Sequence, residues 1–282
     1  MLAVVGTVPI KDFPLIAGEV TLDDDYLVIQ EYKIPVNRGT PALVAASIKT
    51  AQVKGDEKIF AYLVSDIGLG DGSRKLYKYL SENLGSSEFD VITFHYLQPD
   101  SDWHNKVLFA IEEMKRRPFL IADAGFMYAA KMSGQSPEYD LFTPDAGELA
   151  FLADEEAPHP FYTRGFILHE DNNTPDLIQR AYSHNNAAKH LLVKGKTDYI
   201  ANNKGIIGTV ENPSEESMEA IGGTGDTLTG IVSSLIASGM DTAHACTLAA
   251  STNRIAGHYA KPDPSTQIID IIRNIPQSLF DK

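Results

Sequence analysis

The segment richest in possible chemistry is Glu219–Met240, EAIGGTGDTLTGIVSSLIASGM. Leu228, Ile231, Val232, Leu235 and Ile236 recur at i, i+3, i+4, i+7 and i+8, which predicts a helix with one apolar face that starts near Asp226 and stops at Gly239. Gly222-Gly223-Thr224-Gly225 stands directly before it. A glycine turn feeding a helix N-terminus offers unpaired backbone N–H groups and the positive end of the helix dipole, which suits a phosphate. Asp226 then needs a reason to be there, because a carboxylate beside a polyphosphate is repelled. Accepting a proton from an attacking hydroxyl is such a reason. The competing reading is a tight turn with Asp226 as a helix cap and no ligand. The run lacks the Lys-Ser/Thr of a Walker A loop, and it lies too late in the chain for the first unit of a dinucleotide-binding fold.

Such a turn needs a scaffold, and the chain supplies one. Apolar runs at Ile59–Val64, Val91–Leu97, Phe119–Ile121, Leu141–Thr143, Phe166–Leu168 and Leu191–Val193 read as buried strands. Helical spacing lies between several of them, in Gly72–Leu84 and Asp102–Arg116. Alternation of this kind predicts an α/β fold, a mostly parallel central sheet with helices on both faces. A further helix start is signalled by Arg38-Gly39-Thr40-Pro41, with Thr40 as N-cap and Pro41 at the first helical position. Residues 1–36 read differently: Val20–Leu22 and Tyr26–Gln30 flank three aspartates, suggesting a small N-terminal β element packed on a main domain of residues 37–282.

The motifs resemble the ribokinase-like superfamily, nearest the branch of ADP/ATP-dependent NAD(P)H-hydrate dehydratases and hydroxyethylthiazole kinase. The resemblance runs from Pro118 to Tyr259 and is carried by the Gly222–Asp226 turn, LLVKGKTDYIA at Leu191–Ala201, LFTPDAGELAFL at Leu141–Leu152 and the strand end Ile121-Ala122-Asp123-Ala124. It implies that Asp226 is the base and that Gly222, Gly223, Thr224 and Gly225 form an anion hole. It places Lys194, Gly195, Thr197 and Asn253 on the nucleotide side and gives Glu148 and Asp145 to magnesium. ATP or ADP with Mg2+ are the implied cofactors. The chain also departs from the branch. Asp145-Ala146 stands where the dehydratases carry His-Pro, Asn253 stands where they carry a His, and His95–Asp100 (HYLQPD) has no glycine where they have a glycine-rich element.

Those departures lie on the substrate side, where Asp123, His95, Asp100 and His104 are the candidate residues. For HYLQPDSDWHN the alternative is a helix capped by Ser101 or Asp102 with Trp103 in the core. His159, Tyr162 and Arg164 read either as a lid or as a packed surface loop. Cys246, among small helical neighbours, reads as a buried inert thiol. One cysteine excludes an internal disulfide framework, and the eight histidines lack metal-ligand spacing.

With 24 Lys and Arg against 38 Asp and Glu, the formal charge of −14 excludes nonspecific nucleic-acid binding. No apolar run is long enough to span a membrane, and the N-terminus lacks a basic leader, so a cytoplasmic protein is expected. The leading expectation is phosphoryl transfer from ATP or ADP to a hydroxyl of a small molecule, a small-molecule or sugar kinase. The first alternative is ADP/ATP-dependent dehydration of hydrated NAD(P)H, and the second is a nucleotide sensor without turnover. The expected partners are a small-molecule alcohol and a nucleotide, with self-association into a homo-oligomer also open.

Overall fold

The computed structural model of the chain describes residues 1–55, 58–163 and 173–280. In chain order the elements are β1 (Leu2–Val8), β2 (Ile16–Asp23), β3 (Tyr26–Ile29), β4 (Tyr32–Pro35), α1 (Thr40–Lys54), β5 (Ile59–Ser65), α2 (Asp71–Asn83), β6 (Val91–Phe94) and α3 (Ser101–Glu112). Then come β7 (Phe119–Ala122), α4 (Ala124–Met132), β8 (Leu141–Phe142), α5 (Ala146–Ala153), α6 (Thr174–Ser183) and β9 (His190–Val193). The chain continues through β10 (Asp198–Asn202), β11 (Gly205–Val210), α7 (Thr224–Ala237), α8 (Thr242–Ala260), α9 (Ile268–Ile272) and α10 (Ile275–Phe280). The strands form one sheet in the order β11-β10-β9-β8-β7-β6-β1-β5-β2-β3-β4. From β9 to β5 every pairing is parallel, and the antiparallel strands flank that centre at both edges.

The two faces of the sheet bury separate sets of side chains. On β1, Leu2, Val4 and Val8 join the core beneath α1, α7 and α8, whereas Ala3 and Val5 join the core beneath α2, α3 and α4. This is the two-residue period of a strand buried on both faces. Among the described residues, no helix is long and apolar enough to cross a membrane.

Residues 1–36 are therefore not one accessory element. Residues 16–35 form the expected edge ribbon, but β1 lies at the centre of the main sheet between β5 and β6. The apolar run LAVVGTV carried that signal in its own composition. Two caps also differ from the sequence reading. Thr40 is the first residue of α1, and Gly39 takes the N-cap position at φ +68°. The Thr40 hydroxyl is committed to His95 Nδ1 at 3.0 Å, so it cannot cap its own helix. In α3 the cap is Asp100, which accepts from the Trp103 N–H at 3.0 Å. The strand expected at Phe166–Leu168 lies outside the described residues.

The helices α1 and α7 cross closely enough that a Cβ on Gly230 would stand 2.2 Å from the Leu43 carbonyl oxygen and 3.0 Å from the Ala46 Cβ. Ser47 Oγ bridges the crossing by donating to both the Leu43 and Gly230 carbonyls, each at 3.0 Å. Gly230→Ala is expected to push the helices apart and lower stability by about 1–3 kcal/mol. Chemical denaturation of the two proteins measures this, and an unchanged midpoint would mean the crossing relaxes freely.

Candidate active site

The parallel strands deliver the polar residues at their carboxyl ends. His95 follows β6, Asp123 follows β7, Asp145 comes three residues after β8, and Lys194 follows β9. The N-terminus of α7 faces this row, held over β6 by the 2.8 Å bond from Thr93 Oγ1 to Ser233 Oγ. Between them opens a cavity of about 570 Å3, lined by His95, Tyr96, Asp123, Asp145, Glu148, Lys194, Gly195 and Gly223–Asp226, with Glu215, Glu216 and Glu219 on its rim. Crevices at strand carboxyl ends are where open α/β sheets bind ligands. Gly223 makes the turn into α7 at φ +110°, a conformation strained for any side chain, and Ile268 would meet a Cβ there at 2.9 Å.

Asp226 lies nine-tenths buried in the first turn of α7. Its Oδ2 accepts the Gly39 N–H at 2.7 Å, and Oδ1 stands 3.0 Å from His95 Nε2. Burial by itself would raise this carboxyl, but His95, the Lys194 charge and the Gly39 N–H outweigh it, and the group stays below the usual carboxylate range. Lys194 loses hydration through burial, yet Asp123 and Glu148 more than compensate and keep it protonated. Its Nζ donates to Asp123 Oδ1 and Oδ2 at 2.9 and 3.0 Å, and its side chain passes within 3.5 Å of where a Cβ on Gly225 would stand. An anion at the glycine turn would thus meet free N–H groups and an ammonium together.

Asp123 is engaged on both oxygens. Besides Lys194 it accepts from the Ala124 N–H at 2.9 Å and from Thr229 Oγ1 at 2.6 Å. Asn253 steadies the first turn of α7: it accepts from Thr227 Oγ1 at 2.6 Å and donates to the Thr224 carbonyl at 3.0 Å. Residues the sequence did not single out complete the frame. Arg254 pairs with Asp198 at 2.7 Å and donates to the carbonyls of Gly195, Lys196 and Glu211, fixing the turn that follows Lys194. Gly39 and Thr40 were legible only as a helix start and Thr229 was not singled out, because their partners lie far away in sequence.

Other candidates are not brought into the cavity. Gly222 and Thr197 do not line it. Asp100 caps α3, and His104 is fully buried, bonded to Tyr139 Oη at 2.8 Å and Ser133 Oγ at 2.9 Å, with burial pushing its imidazole down to about 4. Both are structural. His159 and Tyr162 flank an exposed turn that does not line the cavity, and Arg164 lies outside the described residues. Cys246 is buried, and that burial holds its thiol up.

Asp145 and Glu148, the expected magnesium residues, form a reciprocal cap on α5: Asp145 Oδ1 accepts the Glu148 N–H and Glu148 Oε2 accepts the Asp145 N–H, both at 2.8 Å. Among the described residues, no group of three His, Cys, Asp or Glu side chains could hold a metal ion alone. Magnesium is commonly held by one or two carboxylates plus substrate phosphates, and the cap leaves Glu148 Oε1 for that purpose, so the donor set fits. Burial drives the Glu148 carboxyl up to about 8, Lys194 opposes the rise, and Asp123 and Asp145 add to it.

A raised acid lowers stability as it ionises. Below about pH 4.5 folded and unfolded chains are both protonated here; towards about pH 8 the unfolded chain loses a proton that the fold retains, so stability falls across that window. Glu148→Gln keeps an acceptor for the cap. It is expected to raise the melting temperature at neutral pH, with the gain shrinking to nothing at pH 4; thermal melts across pH 4–8 measure it.

A family model described as NAD(P)H-hydrate dehydratase matches residues 99–277. An uncharacterized protein of Methanocaldococcus jannaschii is 43% identical over 238 residues, 84% of this chain and 98% of that protein. Among solved structures, the ADP/ATP-dependent NAD(P)H-hydrate dehydratase of Bacillus subtilis, co-crystallized with ATP/Mg2+, superposes with a TM-score of 0.60 at 16% identity, covering 99% of this chain and 89% of that one. A ribokinase-like superfamily protein of Enterococcus faecalis gives a TM-score of 0.57 at 16% identity, covering 99% and 86%. The chain has a ribokinase-like fold and belongs to the NAD(P)H-hydrate dehydratase family.

Proposed function

We propose that the chain uses ATP or ADP to phosphorylate and expel the hydroxyl of hydrated NAD(P)H. The observation that carries this reading is Asp226, a buried carboxylate held ionised in the first turn of α7, beside Lys194 and the glycine turn. The family match favours this reaction, the first alternative from the sequence, over the small-molecule kinase that led it. Asp226 takes the hydroxyl proton as the oxygen attacks the terminal phosphorus; the new O–P bond forms while the bond to the nucleotide's bridging oxygen breaks. The N–H groups of Gly223–Gly225 and the Lys194 ammonium receive the charge on the transferred group. The phosphorylated hydroxyl then leaves as inorganic phosphate and a proton leaves the adjacent ring carbon, so the net change in the ring is loss of water. Magnesium bound at Glu148 and Asp145 would supply charge neutralisation on the phosphates.

One observation favours a kinase acting on a compact alcohol instead. His95 is fully buried against Asp226, and the half-exposed Tyr96 ring stands 3.5 Å from where a Cβ on Gly39 would be. Both side chains narrow the approach to the base.

Incubation with hydrated NADH, magnesium and either ATP or ADP, followed by the absorbance of the reduced nicotinamide, separates the readings. Recovery is expected, and Asp226→Asn is expected to reduce it by about 10²–10⁴-fold while calorimetric nucleotide affinity holds. Phosphorylation of a small alcohol without recovery would favour the kinase, and nucleotide binding with no turnover would favour the sensor.

A further inference from the structure

His95 is fully buried, and its imidazole stands against Asp226. Its Nδ1 lies 3.0 Å from the hydroxyl of the equally buried Thr40, and its Nε2 lies 3.0 Å from Asp226 Oδ1 and 3.9 Å from Asp123 Oδ2. The Nε2 contact with Asp226 is short but poorly aligned as a hydrogen bond, so that atom has no well-directed partner. Electrostatics selects the arrangement. A bare Nε2 lone pair at 3.0 Å from a carboxylate oxygen would be repelled, so the hydrogen belongs on Nε2, leaving Nδ1 to accept from the Thr40 hydroxyl.

We propose that His95 is the positioning residue of the base: with Gly39 it clasps the two oxygens of Asp226, and Thr40 fixes the tautomer that lets it do so. The inference rests on Asp226 acting as the base, and it adds a device that the base alone does not require. The clasp joins the start of α1, the end of β6 and the first turn of α7. Oδ2 is held by a backbone N–H and cannot be displaced by side-chain motion, whereas Oδ1 is held by an imidazole whose poor alignment leaves it free to tighten or yield when a hydroxyl arrives. The other groups facing Asp226 are Lys194 from the end of β9, Asp123 from the end of β7 and Tyr96 beside the imidazole ring, at 4.2 Å between ring centres. Of these, Lys194 is already bonded to Asp123 and the Asp123 oxygens are occupied. Among the described residues, His95 is the side chain that stands against Oδ1 of Asp226.

The test reads the unliganded protein first. Nitrogen-15 NMR of labelled histidine is expected to show a proton on Nε2 of His95. Carbon-13 titration of the Asp226 carboxyl, assigned by its absence in Asp226→Asn, is expected to give a midpoint below the ordinary range. In His95→Gln, whose amide can still donate to Oδ1, the midpoint should stay near that value; in His95→Leu it should rise. If His95→Leu fails to fold, Thr40→Val, which frees Nδ1, should move the midpoint in the same direction. With hydrated NADH and ATP, the acid limb of kcat should follow the midpoint while KM for nucleotide stays constant. Wild-type midpoints in His95→Leu and Thr40→Val, or an Nδ1-protonated tautomer, would overturn the proposal. Full turnover by Asp226→Asn would remove the base reading and leave the clasp standing, so the two can fail separately.

Discussion

Burying Asp226 as a carboxylate costs several kcal/mol of lost hydration unless neighbouring donors and cations replace the water. Much of the surrounding structure follows from that requirement. The N–H that answers Oδ2 belongs to Gly39, so α1 must begin against α7. The closeness of α1 and α7 is set one helical turn further along each helix, where Gly230, four residues after Asp226, lets the Leu43 carbonyl lie on the α7 backbone. The imidazole that answers Oδ1 belongs to the end of β6, which Thr93 and Ser233 tie to the same helix. Core packing and the state of Asp226 are therefore coupled through two contacts, one on each oxygen.

The cavity holds more acid than it can neutralise. Asp123 is matched by Lys194, and Asp226 is clasped, but Glu148 is left with its carboxyl pushed upward, and Glu215, Glu216 and Glu219 add charge at the rim. A site for phosphates alone would not gain from that surplus. A site for phosphates accompanied by a divalent cation would, because the cation inverts the local balance once it enters. The same surplus explains why Glu148 can oppose stability in the empty protein and still suit a nucleotide complex. Strain of this kind is common where a fold serves a ligand.

Chemistry-bearing residues close together in sequence were legible early. The Gly222–Asp226 turn, the helix after it and the strand ends carrying Asp123 and Lys194 all stand where local pattern puts them, since a glycine run, an apolar period of 3.6 and short β-branched runs are properties of neighbouring residues. The same reading misjudged Asp100 and His104, which share a polar-aromatic segment with His95 but turn into α3 and its core. Sequence distance from a strand end did not say which side of the sheet each side chain would meet.

By itself the sequence determined the alternation of strands and helices, the glycine turn before α7 and the type of residue at each strand end. Tertiary structure alone decided that Thr40 serves His95 instead of capping α1, and that Gly39 and His95 share the oxygens of Asp226. The reason is physical: propensity and period act between residues a few positions apart, whereas Asp226 and Gly39, 187 positions apart, meet only through the packing of two helices on one face of a sheet.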